Sequence, residues 1–246
     1  MTTENVKKIS YKEHPFFMKM GTLVATEITK NGYPQASEKF DYLNKVQAQY
    51  YRVKHTLDTL ILMRVFIAEA HPSSNVNKDS TIKTRDYLRY HIENFFLRIT
   101  TYKDQIFQLL NDTYEMEIKR GASFERTLIK KAEQQNLPEV LLIIRNTNLL
   151  FENTNIINIR NNLAHNGDFR NSDLGMLDGS ELLTDTNPDD NDLLSAMGEI
   201  ILGKIVKENI DEMTKIEEQM ATHFFSVLDV LLPMLDRRVE SKVGLS

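Results

Sequence analysis

The fold class this sequence predicts is all-α: an antiparallel bundle of four or more long helices. Two observations carry it. Only nine glycines and six prolines punctuate 246 residues, and the intervals between them, 35 to 71, 73 to 120 and 139 to 166, are too long and too periodic for a strand-rich chain. Within those intervals apolar residues recur every three or four positions, the repeat of one face of a helix. With 41% hydrophobic residues the chain can fill a sizeable core, and one domain is the simplest division.

Taken in order, residues 1–35 hold Pro15, Gly21, Asn31-Gly32 and Pro34 and read as an irregular lead with a short helix or strand. The helical domain is expected over 36–240. Its first helix, Ala36 to about Ala70, carries Leu43, Val46, Tyr50, Val53, Leu57, Leu60 and Ile67 on one face and ends at His71-Pro72. The second, about Thr81 to Asp112, has the cleanest stripe: Leu88, Ile92, Phe95, Ile99, Tyr102, Ile106 and Leu109, with Asp79 or Ser80 as N-cap. A short helix at about Phe124 to Gln135 bears Arg126, Lys130 and Lys131. Pro138, tolerated in a first turn, opens a helix through Val140, Ile144, Leu150, Ile157 and Leu163 to Ala164, stopped by Asn166-Gly167. An acidic loop is expected at about 166–195; within it, residues 168–192 carry eight acidic side chains and one basic. The last helix runs from about Leu202 to Arg238, its stripe including Val206, Ile210, Met213, Met220, Phe224, Val227, Leu231 and Leu235, with a bend expected near Pro233. A tail, 241–246, follows.

No run of about 18 apolar residues could span a bilayer, and Met1-Thr-Thr-Glu-Asn-Val-Lys-Lys lacks the apolar core of an export signal. A chain without cysteine has no disulfide, thiolate metal site or cysteine nucleophile. The expectation is a cytoplasmic protein with no membrane association, cofactor or metal. The net charge of -5 is unevenly placed: residues 1–165 carry 23 Lys and Arg against 18 Asp and Glu, and residues 166–246 carry 7 against 17. A polyanion prefers the first part.

Chemistry concentrates in Ile159-Arg-Asn-Asn-Leu-Ala-His-Asn-Gly167. Eight asparagines lie between 146 and 166, weak helix formers that give this stretch a polar surface held by packing. Arg160, Asn161 and His165 place a permanent cation, an amide and an imidazole within six residues. Those groups suffice to cut RNA without a metal. The ribose 2′-hydroxyl attacks the adjacent phosphodiester, leaving a 2′,3′-cyclic phosphate, once its proton is removed and the developing charge is stabilised. His165 would move the proton, Arg160 would clamp phosphate oxygens, and Asn161 would orient phosphate or imidazole. In an ideal helix Arg160 and His165 stand about 140° apart, so convergence needs the bend that Asn166-Gly167 supplies.

Arg160-Asn161-x-x-x-His165, with Leu163 and Ala164 inside it, resembles the signature of the HEPN superfamily. The resemblance implies a metal-independent endoribonuclease acting on RNA as a symmetric homodimer, whose shared cleft holds two imidazoles, one for base and one for acid. It also implies toxin–antitoxin or phage-defence settings, with an antitoxin or operon partner. A looser match, Arg85-Asp86-x-x-x-x-His91, sits in the cleanest amphipathic helix and reads as a surface arginine and a packing or capping histidine. Glu93, Arg98 and Asp104 read as a solvated face, and Tyr50, Tyr51, Phe95 and Phe96 as core. Two other classes stay open: a catalytically silent module binding RNA, a nucleotide or a protein, and a structural partner of an operon-encoded enzyme. The acidic stretch after the motif is expected to screen the basic groove until RNA or a partner displaces it.

Overall fold

The computed structural model describes residues 14–31, 37–70, 84–153 and 191–243. Among them are six helices and no strand: α1 (Pro15–Asn31), α2 (Glu38–Glu69), α3 (Thr84–Thr113), α4 (Phe124–Gln134), α5 (Pro138–Asn153) and α6 (Asn191–Val243). The all-α expectation holds. Contacts divide the chain into two compact units, one of Met1–His55, Tyr102–Leu150 and Gln219–Ser246, the other of Thr56–Thr101 and Phe151–Glu218. Helices α2, α3 and α6 each contribute residues to both.

In the first unit α1 occupies the second half of the stretch read as an irregular lead with a short helix or strand. Phe16, Met20 and Glu27 are buried along one side of it, the i, i+4 and i+11 positions of a single face. Pro15 opens the helix instead of breaking it, because the first helical residue needs no N–H partner. Three threonines, Thr22, Thr26 and Thr29, return their hydroxyls to carbonyls four residues back, which satisfies these weak helix formers locally. His14 fastens the entry: its Nδ1 accepts from the Phe16 N–H at 3.2 Å, its ring stacks on Phe225 at 5.4 Å, and Nε2 lies 3.3 Å from Asp229. At the start of α2, Ser37 Oγ caps the Phe40 N–H at 3.0 Å and Lys39 pairs with the buried Glu27 at 2.6 Å.

The rest of this unit's core comes from the forecast stripes: Leu43, Val46, Tyr50 and Val53 of α2, Tyr102, Ile106 and Leu109 of α3, Phe224, Val227, Leu231 and Leu235 of α6, all buried. Tyr51 departs from the expectation; it is 46% exposed, on the opposite side of α2 from the stripe. Where α3 ends, the Met116 N–H bonds to the Asn111 carbonyl and the Glu115 N–H to Asp112. That is a Schellman closure with Glu115 in the left-handed region at φ 51°. The same closure ends α4, with Asn136 at φ 53°, its N–H bonded to the Glu133 carbonyl and the Leu137 N–H bonded to that of Ala132. Asp112 holds the first corner together by accepting from Gln49, Gln108 and Asn111.

In the second unit Leu57, Leu60 and Ile67 of α2, Leu88, Ile92, Phe95 and Ile99 of α3, and Val206 and Met213 of α6 are buried. A bifurcated ion pair spans it: Arg64 Nε donates to both oxygens of Glu217 at 3.0 and 2.9 Å. Burial pushes the Glu217 carboxyl above its ordinary range while the guanidinium of Arg64 opposes that shift. Helix α6 is longer than expected and begins at Asn191, so the acidic loop forecast to about 195 stops short of that. Acidic composition is a loop signal that serves equally as a helix-start signal. The helix passes through Pro233 without interruption.

Candidate functional site

The residues singled out as catalytic, Arg160, Asn161 and His165, lie outside the described residues, as does most of the acidic stretch. The described helix nearest to them in sequence is α5, which ends at Asn153, seven residues before Arg160.

On α5 the buried face is Val140, Ile144 and Thr147, spaced four and three. Thr147 is the polar member of an apolar stripe and is 0% exposed, so its hydroxyl requires partners. It donates to the Ile143 carbonyl at 2.8 Å and lies 3.1 Å from Nε2 of His223 on α6. The other ring nitrogen of His223 is 2.8 Å from the Tyr102 hydroxyl on α3, which also donates to the Met220 carbonyl at 3.1 Å. One imidazole therefore ties three helices of the first unit through both its nitrogens. Burial lowers its pKa from 6.5 to about 4, and the ring is neutral at pH 7. The four contacts require four hydrogens. Two hydroxyls and a neutral ring supply three, so one contact always lacks its proton; an imidazolium would fill all four but is opposed by burial.

A second polar bridge joins the same region. Glu125 of α4 takes Lys103 of α3 at 3.0 Å on one oxygen and the Asn148 amide of α5 at 2.9 Å on the other, and Lys103 also stands 5.4 Å over the Phe107 ring. Lys131 turns inward and donates to the Met116 carbonyl. Arg120 donates to Gln108 at 3.1 Å.

Nothing in the sequence reading picked out His223, Thr147 or Tyr102 as a group. The available signal was that all three fall on apolar stripes, where a polar side chain has to be paired. The looser Arg85 and His91 match is structural. Arg85 is bonded to neighbouring Asp86 at 2.9 and 2.8 Å, and His91 is packed among Phe66, Tyr87 and Tyr90 at 4.9, 4.4 and 5.1 Å, its pKa lowered by burial. Glu93 pairs with Arg89 at 3.1 Å on a partly exposed face, and Arg98 and Asp104 are exposed.

Among known proteins, the family model described as Cthe2314-like HEPN matches residues 42–232. The chain belongs to the HEPN family. The match takes in α2 through most of α6 and all of the Arg160–His165 segment, and it begins after α1. No curated protein and no solved structure matches the chain. Within the HEPN span, the described residues contain no group of three or more His, Asp or Glu placed to hold a metal ion, and no described helix is long and apolar enough to cross a membrane.

Proposed function

We propose that this HEPN protein is a metal-independent endoribonuclease that cleaves RNA by attack of the 2′-hydroxyl on the neighbouring phosphodiester, as a homodimer with no cofactor. The observation that carries the reading is the motif Arg160-Asn161-x-x-x-His165 lying inside the family-matched span 42–232. His165 moves the proton, Arg160 stabilises the phosphorane oxygens and Asn161 orients them. Two copies of His165 at a two-fold cleft provide base and acid in one site. Toxin–antitoxin or phage defence is the setting such a nuclease suits, with an antitoxin or operon partner and a cytoplasmic location.

The test is cleavage of a mixed single-stranded RNA pool in EDTA. Wild-type protein is expected to leave 2′,3′-cyclic phosphate ends, with Arg160→Ala and His165→Ala each reducing the rate by at least about a hundredfold. No cleavage by folded, dimeric wild type would instead mark a catalytically silent binding module.

A further inference from the structure

Between Ile118 and Ala132 the chain carries Lys119, Arg120, Arg126, Lys130 and Lys131 against a single carboxylate, Glu125. That carboxylate is already engaged on both oxygens by Lys103 and Asn148, and Lys131 is turned inward. Lys119, Arg120, Arg126 and Lys130 remain exposed. Arg126 and Lys130 are four apart on α4 and so share a face. The Glu125–Asn148 bridge sets this turn of α4 beside the turn of α5 that holds Arg145, also exposed and three residues before Asn148. Among the described residues Arg126, Lys130 and Arg145 have no carboxylate within ion-pairing distance. Leu142 and Leu149, 52% and 40% exposed on either side of Arg145, add apolar footing. Exposed carboxylates, Glu117 and Glu133, flank this stretch in sequence, and Glu133 lies one turn beyond Lys130 on α4.

We infer that the outer face of α4 and the adjoining turn of α5, centred on Arg126, Lys130 and Arg145 with Lys119 and Arg120 at its edge, is a docking track for the phosphate backbone of single-stranded RNA. The inference rests on the ribonuclease reading for its choice of polyanion, and Arg160 follows the last residue of α5 by seven positions in sequence. Phosphate contacts of this kind position a strand without reading its sequence. They also make affinity fall steeply with salt, through release of condensed counterions.

The experiment is fluorescence anisotropy of a labelled 2′-O-methyl oligoribonucleotide, which cannot be cleaved by 2′-hydroxyl attack. It is titrated with the wild-type chain and with the triple variant Arg126→Gln, Lys130→Gln, Arg145→Gln between about 50 and 200 mM salt. Loss of three contacts to a single strand is expected to flatten the log–log salt slope by about two, with unchanged helicity and melting because all three side chains are exposed. Equal slopes would overturn the track even if wild type cleaves RNA. A flattened slope with no cleavage by wild type would sustain the track and remove the nuclease. Absence of any binding by wild type also overturns it and leaves the face to an acidic protein.

Discussion

His223 is neutral at pH 7 because it is buried, and this ties stability to pH. The unfolded chain takes up a proton near pH 6.5, whereas the folded chain does so only near pH 4. Between those values the unfolded state binds more protons, so the folded state is favoured above about pH 6.5 and loses stability as pH falls toward 4. His91, lowered by the same cause, acts in the same direction. Chemical denaturation at pH 7 and at pH 4.5 should show a loss on the order of 2 kcal/mol assignable to His223. His223→Gln, which keeps an amide in the clasp but does not titrate, should lower stability at pH 7 and remove most of that pH dependence. An unchanged pH dependence in the variant would mean that the ring is solvated in solution. This residue was legible in the sequence only as a histidine on an apolar stripe. Its partners come from 76 and 121 residues away, a separation that local periodicity does not encode.

Helices with an unbroken apolar repeat were legible because burial on one face leaves a period in the sequence. All seven stripe residues named for α3, from Leu88 to Leu109, are buried. α1 was legible only as a short helix or strand within an irregular lead, for the converse reason: Pro15 and Gly21 look like breaks, and its buried face includes a glutamate, Glu27, neutralised by a lysine from the next helix. Gly21 is exposed in mid-helix and an added Cβ there would meet nothing within 4 Å. Gly21→Ala should therefore raise stability by about 0.5–1 kcal/mol, read from urea midpoints at constant m-value. A loss of stability would show that the glycine serves a contact beyond α1. The start of α6 was misplaced because acidic residues mark both loops and helix N-termini, and composition alone does not choose between them.

For the whole molecule, the family and helical class could be read from one nine-residue segment and a set of stripes, whereas the division into two units could not. That division depends on which stretches of α2, α3 and α6 contact one another, and stripes record burial without recording the partner. The proposed shared cleft makes its own demand on the assembly. If each site needs two imidazoles, mixing wild type with excess His165→Ala under subunit exchange should depress activity below the line expected from dilution, toward the square of the wild-type fraction. Activity that follows the dilution line would mean that each chain cleaves alone.

The first unit draws its final stretch from Gln219–Ser246, and this bears on how the protein is born. Tyr50 packs on Phe224, with ring centroids 5.7 Å apart, yet at ordinary rates of synthesis the ribosome reaches residue 224 roughly 10–35 s after residue 50. Through that interval the apolar faces of α1 and α2 emerge without the helix that covers them. The core of the first unit therefore closes only once α6 has been made, long after the faces it covers.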